Sequence, residues 1–321
     1  MVSMLTRCRA PLVVLALSLC GGTVQAAGTP RAPTDDVPID AANVFPESIT
    51  SAADGSLYVG SMGGVIYRAR PRERTMTPFI RPDAQNTLRA VFGVLVDERS
   101  HRLWACSVAN PFERPATPPA PPTLVAFDLQ SGRLQGSWPF PAPGGVCNDI
   151  AVAHDGTVYA TDTPNGRLLK LARRARGLVV VAEADELKGI DGLAFAVDGQ
   201  LYVNIVSRGE LYRVELPRGA GKVVLTKLKL TRPLAGPDGF RPLGANRFLL
   251  AEGSGGRIDR VTIDGDVATI HVLRSGLDSS PGVTAVGQVA YAVEGKIEYL
   301  VDPKLRGKDP GPFKAISIPI E

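Results

Sequence analysis

One short phrase recurs along the chain and restricts its fold more than any other feature. It is a tight turn, often Asp-Gly, followed by a strand carrying an aromatic residue. It reads Asp54-Gly55-Ser56-Leu57-Tyr58-Val59, Ser100-His101-Arg102-Leu103-Trp104-Ala105, Asp155-Gly156-Thr157-Val158-Tyr159-Ala160 and Asp198-Gly199-Gln200-Leu201-Tyr202-Val203. Weaker copies carry Phe248 and Tyr291, and successive anchor aromatics lie 46, 55, 43, 46 and 43 residues apart. A period in the forties with a strand–turn–strand phrase per unit is the length of a propeller blade. Each phrase is followed by a Gly-containing turn and another strand, as in Gly63-Gly64-Val65-Ile66-Tyr67 and Gly209-Glu210-Leu211-Tyr212. The alternation predicts strands throughout, with a helical turn only around residues 183–187. Six repeats therefore predict an all-β, six-bladed β-propeller. An open edge strand would template aggregation. Residues 313–320 are accordingly expected to close the last blade by pairing with the first strand of the mature chain.

The N-terminus reads as an export signal. Arg7 and Arg9 precede a short apolar run over residues 11–19, and Val24-Gln25-Ala26 offers small residues at a cleavage position. The run is shorter than the roughly 20 residues needed to span a bilayer. Leu19 before Cys20 stands where a lipoprotein signal wants a small residue. The expected organisation is a signal peptide over residues 1–26 and one propeller domain over residues 27–321, periplasmic or secreted. Cys106 and Cys147 remain in the mature chain, either as one disulfide, which an oxidising compartment permits, or as two buried thiols.

Composition excludes some classes. With 44% apolar and 21% charged residues the chain is globular. A net charge of +4 with no basic stripe argues against a nucleic-acid partner. His101, His154 and His271 are the only histidines, and no CxxC occurs, which argues against a zinc site of His and Cys. No GxSxG, P-loop or dinucleotide fingerprint stands in a suitable context.

Blade register points to a site. The innermost strand of a blade begins at one mouth of the central channel, so equivalent first residues converge on the axis. Eleven residues before the anchors Tyr58, Trp104, Tyr159, Tyr202 and Tyr291 lie Glu47, Gly93, Asn148, Asp191 and Ser280. Ten before Phe248 lies Asp238, and a turn at 244–246 shorter by one residue would restore the register. Three carboxylates and an amide around one axis repel unless a cation relieves them. All-oxygen ligands suit a hard divalent ion, Ca²⁺ first, with Mg²⁺ or Mn²⁺ as alternatives. Taken singly, each of these residues also suits a turn cap.

The motifs Phe45-Pro46-Glu47-Ser48-Ile49, Asn148-Asp149-Ile150, Asp191-Gly192-Leu193-Ala194-Phe195 and Pro237-Asp238-Gly239-Phe240 carry a resemblance. In order and spacing they resemble the senescence marker protein / gluconolactonase / luciferin-regenerating enzyme family, over essentially the whole mature chain. The resemblance implies a six-bladed propeller with one divalent metal at the channel mouth and hydrolysis of lactones. It implies Glu47, Asp191 and Asp238 as metal ligands, and Asn148 near metal and substrate. Two departures stand out. Asp191 replaces an asparagine, and Val146 stands where sugar-lactone members can place an arginine.

In such a site the metal polarises the lactone carbonyl. Asp238 is the expected general base, Glu47 and Asp191 hold the ion, and Asn148 binds substrate or completes the shell. Asp149 either supports the shell from behind or caps a turn. Glu252 and Glu294 read as solvated loop acids near the same mouth. A proline-rich insertion, with Pro111, Pro115, Pro118, Pro119, Pro121 and Pro122, explains the 55-residue spacing and either overhangs the mouth as a lid or is an inert surface excursion. The alternative function is a non-catalytic propeller binding a small molecule or a protein at the mouth, with a structural metal.

Overall fold

The structure, a computed structural model, describes residues 35–113, 120–141, 145–217 and 221–320. The expected export signal lies outside these residues, as do Pro115, Pro118 and Pro119 of the proline-rich insertion. Six sheets stand in a ring, antiparallel except for the short outer strand Lys229–Leu230 of blade five, which pairs parallel with Val267–Ser275, and each is built from a consecutive stretch of chain except where the ring closes. The innermost strands are Pro46–Ser51, Ala90–Asp97, Cys147–Val152, Ile190–Phe195, Pro237–Pro242 and Gly282–Val286 for blades one to six. Each packs against the next, and the sixth packs against the first. The six-bladed propeller expected from the repeat is what the chain forms.

Closure follows the expected route. Lys314–Pro319 is the third strand of blade six, and Val37–Pro38 pairs with it as the fourth. The N- and C-terminal ends of the domain thus complete one blade and leave no interruption in the ring. The helical turn expected around 183–187 is present as a 3-10 turn over Asp185–Leu187. A second short helix, Glu298–Val301, was not expected; it sits in a long connection between the second and third strands of blade six. Among the described residues no helix is long and apolar enough to cross a membrane.

The anchor aromatics form the blade interiors. Tyr58, Trp104, Tyr159, Tyr202, Phe248 and Tyr291 are all buried. Tyr58 meets Phe79, Trp104 meets Trp138, Tyr159 meets Phe195 and Tyr202 meets Phe248, with ring centroids 5.4 to 5.8 Å apart. Aromatic pairs in this range add roughly 0.5–1.5 kcal/mol beyond the area they bury. This is the physical reason the phrase repeats: each blade needs one large residue to fill the space against its neighbours.

Strand pairing corrects three details of the register. Tyr58, Tyr159 and Tyr202 pair with Thr50, Ala151 and Ala194, and in blade five the partner of the equivalent Arg241 is Leu249, not Phe248. The turn at 244–246 is therefore as long as the Asp-Gly turns, and Asp238 lies eleven residues before Leu249. In blade two Trp104 pairs with Leu95, across a turn one residue longer, so the position equivalent to Asn148 is Phe92 and not Gly93. In blade six Tyr291 pairs with Thr284 across a turn one residue shorter, which puts Pro281 rather than Ser280 in that place. The six mouth positions are Glu47, Phe92, Asn148, Asp191, Asp238 and Pro281.

Candidate functional site at the channel mouth

Five of the six innermost strands slip by one residue against their second strand. The slips fall between Pro46 and Ser48, Val91 and Val94, Cys147 and Ile150, Ile190 and Leu193, and Pro237 and Phe240. Such a bulge leaves residues outside the ladder and re-aims their side chains. Glu47, Phe92, Asn148, Asp191 and Asp238 all lie in these bulges. The next residue in blades two, four, five and six is glycine, and a Cβ there would run into the neighbouring blade. Gly192 abuts the carbonyl oxygen of Asp238, Gly93 that of Asn148, and Gly282 the backbone at Ser48. Glycine lets adjacent innermost strands come close enough to bring the mouth residues together.

The structure places the four polar candidates at the same end of their innermost strands. Glu47, Asn148 and Asp191 are buried and Asp238 is partly exposed. Asn148 Nδ2 donates to Asp191 Oδ2 at 2.7 Å and to Thr163 Oγ1 at 2.9 Å. Its Oδ1 makes no hydrogen bond among the described residues. Asp191 and Asp238 are near enough for each carboxyl group to influence the other's ionisation. Burial pushes the Asp191 carboxyl up to about 8, helped by the charge of Asp149 and opposed by its hydrogen-bond partners and Arg241. Burial also raises Asp238, reinforced by Asp191, Glu47 and Asp149, and raises Glu47, reinforced by Asp191 and Asp149. Like charges withdrawn from water oppose one another's ionisation.

Beneath the mouth lies a cation that the sequence reading missed. Arg241 is buried and pairs bidentately with Asp149, Nη1 to Oδ2 at 2.7 Å and Nη2 to Oδ1 at 2.9 Å. Nη2 also donates to the Val94 carbonyl at 3.3 Å. By strand pairing, Arg241 occupies the level of Thr50, Leu95, Ala151 and Ala194 in blades one to four. One long side chain from blade five thus reaches blades two and three across a layer of otherwise smaller residues. Asp149 is neither a turn cap nor a free acid; it is the partner of this guanidinium. A lone arginine in a strand carries no signal of what it will meet 92 residues away.

Glu252 also departs from expectation. It is fully buried, and Arg232 bridges it to the equally buried Asp259. Burial and the neighbouring Glu252 push Asp259 up to about 7, while Arg232 opposes the shift. In blade three Asp162 holds the position of Glu252 and pairs with Arg167. These acids fasten strand ends, and their signal was the Gly-Arg that follows each: Gly166-Arg167 and Gly256-Arg257. Cys106 and Cys147 are bridged, tying the second strand of blade two to the residue before Asn148. Arg89 grips the described base of the proline-rich insertion through the carbonyls of Ala120 and Pro121, at 2.8 and 2.6 Å.

Among the described residues, no group of three or more His, Cys, Asp and Glu side chains is gathered so that it could hold a metal ion. The donor chemistry nevertheless fits a hard cation. All candidate donors are oxygens, Asp191 Oδ1 is buried without a partner, and the charge of Asp191 opposes ionisation of Asp238.

Comparison with known proteins agrees on the architecture. Residues 37–69 match the family described as strictosidine synthase-like, N-terminal. No curated protein matches the sequence. Among solved structures, a gluconolactonase from Xanthomonas campestris is 17% identical, with a TM-score of 0.59 over 90% of this chain and 99% of that one. The PQQ-bound aldose sugar dehydrogenase from Streptomyces coelicolor is 14% identical, with a TM-score of 0.61 over 90% and 99%. Virginiamycin B lyase from Staphylococcus aureus is 14% identical, with a TM-score of 0.57 over 80% of each chain. At these identities the likeness is one of fold, and the three chemistries differ. Both the partial family match and these neighbours are compatible with the propeller that the motifs led us to expect.

Proposed function

We propose that the protein is an exported hydrolase of the lactonase type, opening a small lactone or related ester at the channel mouth. One observation carries the reading: Asp191 and Asp238 sit on equivalent bulges with Glu47 and Asn148 at one mouth, and Asn148 is hydrogen-bonded to Asp191. Such a set of acids has no structural need in a mouth otherwise free to be apolar, and it costs stability in the empty site. The Cys106–Cys147 bridge accords with an oxidising compartment.

Glu47, Asp191 and Asp238 would hold a divalent cation, with Asn148 Oδ1 as a fourth donor. Bound there, the ion supplies Lewis-acid polarisation of the carbonyl and an acidified water. The chain's own groups do the rest. Asp238 is the partly exposed member of the carboxyl pair, which would let it reach the attacking water and accept its proton. Water adds to the carbonyl carbon, the ring C–O bond breaks, and the proton passes to the leaving alkoxide to yield a hydroxy acid. Asn148 is held by Thr163 and Asp191, which keeps its amide in one orientation for substrate or ion. Arg241 lies beneath the mouth, paired with Asp149. Val146 offers no cation to a sugar acid.

The test is a panel of lactones assayed with chelator and after return of Ca²⁺, Mg²⁺ or Mn²⁺, alongside metal analysis of the purified protein. Hydrolysis that stops with chelator and returns with metal is expected. Asp238→Asn should lower kcat at least about 100-fold, the scale of a lost general base. Glu47→Gln should weaken metal binding with a smaller effect on kcat. Binding without turnover across the panel would favour the non-catalytic alternative.

A further inference from the structure

A charged cleft lies on the face of the ring remote from the mouth. It opens between blades two and three, with a volume of about 480 Å³. Innermost strands run from the mouth toward this face. Asp97 and Arg99 of blade two and the Asp155-Gly156 turn of blade three therefore stand at their far ends. Arg173 and Arg174 lie in the turn between the third and fourth strands of blade three, which returns to the same face. Trp104 and Trp138, from the second and fourth strands of blade two, line the cleft as well.

Four arginines, Arg99, Arg102, Arg173 and Arg174, face two acids across this cleft, and both acids are already engaged. Asp97 Oδ2 accepts from Ser100 Oγ at 2.6 Å, and its Oδ1 lies 4.0 Å from Arg99 Nε. Asp155 Oδ1 accepts the backbone N–H of Thr157 at 2.8 Å. Arg99 donates to the carbonyls of Ala153 and His154, at 2.7 and 2.8 Å, and so ties blade two to blade three. Arg102 donates to Gln135 Oε1 at 2.9 Å. Arg173 and Arg174 are left over. Both are exposed, and among the described residues neither makes a hydrogen bond or an ion pair.

Two further features leave this wall rich in donors. Trp104 is 2% exposed, and its indole N–H has no partner among the described residues, whereas buried donors are paired as a rule. The turn over residues 172–177 carries three arginines and no acid. In the equivalent turn of blade one, Arg70 is answered by Glu73 at 3.3 Å. Arg174 also holds φ 66°, a left-handed backbone where glycine or asparagine is usual.

We propose that this cleft is a second ligand site, separate from the mouth, that takes a small soluble oxyanion carrying two or more negative charges, such as a pyrophosphate or a polycarboxylate. Guanidinium forks match the oxygens of phosphate and carboxylate groups bidentately. Two of the four arginine charges are offset by Asp97 and Asp155, and the two that remain call for more than one charge on the ligand. The volume falls within the range of small-molecule sites. The site needs no lactone chemistry, so it stands whether or not the mouth hydrolyses lactones.

Trp104 and Trp138 are the only two tryptophans of the chain, so intrinsic fluorescence reads this cleft directly. Pyrophosphate titrated into the full protein should change their emission saturably, and sodium chloride at equal ionic strength should not. Calorimetry measures the same affinity without relying on the tryptophans. Arg173→Ser combined with Arg174→Gly should weaken pyrophosphate binding about ten-fold or more, the scale of lost charge-assisted hydrogen bonds. Glycine suits the left-handed position, and melting curves check that the variant folds. Asp238→Asn, at the mouth, should leave the pyrophosphate affinity unchanged. No binding, binding that survives the double variant, or binding lost in Asp238→Asn would overturn the proposal. A response to phosphatidylglycerol vesicles with none to pyrophosphate would overturn it too, and would assign the arginines to a membrane surface.

Discussion

At the scale of single residues, burial decides what each acid does. Arg241 and Asp149 are both out of water and satisfy one another, so removing one strands the other. Arg241→Met should cost about 3–5 kcal/mol, as breaking a buried pair does. Pairing it with Asp149→Leu should recover much of that loss if Arg241 serves Asp149 alone. It should recover little if the guanidinium also offsets Glu47 and the Asp191–Asp238 pair. Urea melts of the single and double variants in chelator would show which. Asp259 tests burial through pH. Its pKa is about 7 in the folded chain and near 4 when unfolded. Between those values the folded state holds a proton the unfolded state has released. Stability therefore falls as pH rises through this window, by up to about 1.4 kcal/mol per unit, and the contribution is gone above about pH 7. Asp259→Asn should make the loss of stability between pH 5.5 and 7.5 shallower, measured by denaturant melts across that range. Asp191, which also titrates high, leaves part of the slope in place.

At the scale of elements, the bulge and the glycine after it set the site. The bulge aims the side chain, and the glycine lets two innermost strands approach. Gly192 is the sharpest case, because a methyl group there would overlap the Asp238 carbonyl and crowd Asn204, which donates to that same carbonyl at 2.6 Å. Gly192→Ala should therefore destabilise the fold by about 1–3 kcal/mol, the usual cost of overpacking. It should also weaken cation binding, because the strand carrying Asp238 must move. A melting curve together with a calcium titration checks both effects. An unchanged calcium affinity with a lowered melting temperature would mean that the strands yield elsewhere.

At the scale of the whole molecule, the ring is held by its closure and by one covalent tie. The Val37–Pro38 strand contributes few hydrogen bonds of its own, yet it completes the sheet that joins blade six to blade one. The disulfide joins blades two and three across a separation of 41 residues. Chain entropy for a loop of that length amounts to about 4 kcal/mol. Replacing both cysteines by alanine should lower the unfolding free energy by about 2–4 kcal/mol. Lactone turnover should fall as well, because Cys147 stands next to Asn148. Equilibrium unfolding with and without reductant, compared with the double alanine variant, would check the size of the effect.

Blade number, closure and the four polar mouth residues were legible in the sequence. Strand alternation and turn chemistry are local, and six copies of one phrase leave a single ring to build. Closure followed from the physics of an unpaired edge. Glu47, Asn148, Asp191 and Asp238 stood out because equivalent positions in a cyclic array converge on its axis. What the sequence left open depended on turn length and on distant partners. A turn longer or shorter by one residue shifts which side chain faces the channel, so Phe92 and Pro281, not Gly93 and Ser280, hold the remaining mouth positions. The aromatic Phe248 masked the true equivalent, Leu249. Arg241 with Asp149, and Arg232 between Glu252 and Asp259, became visible only once separate blades were brought together. The reason is that a buried charge is paired by whatever the tertiary fold places beside it, and no local pattern encodes that neighbour.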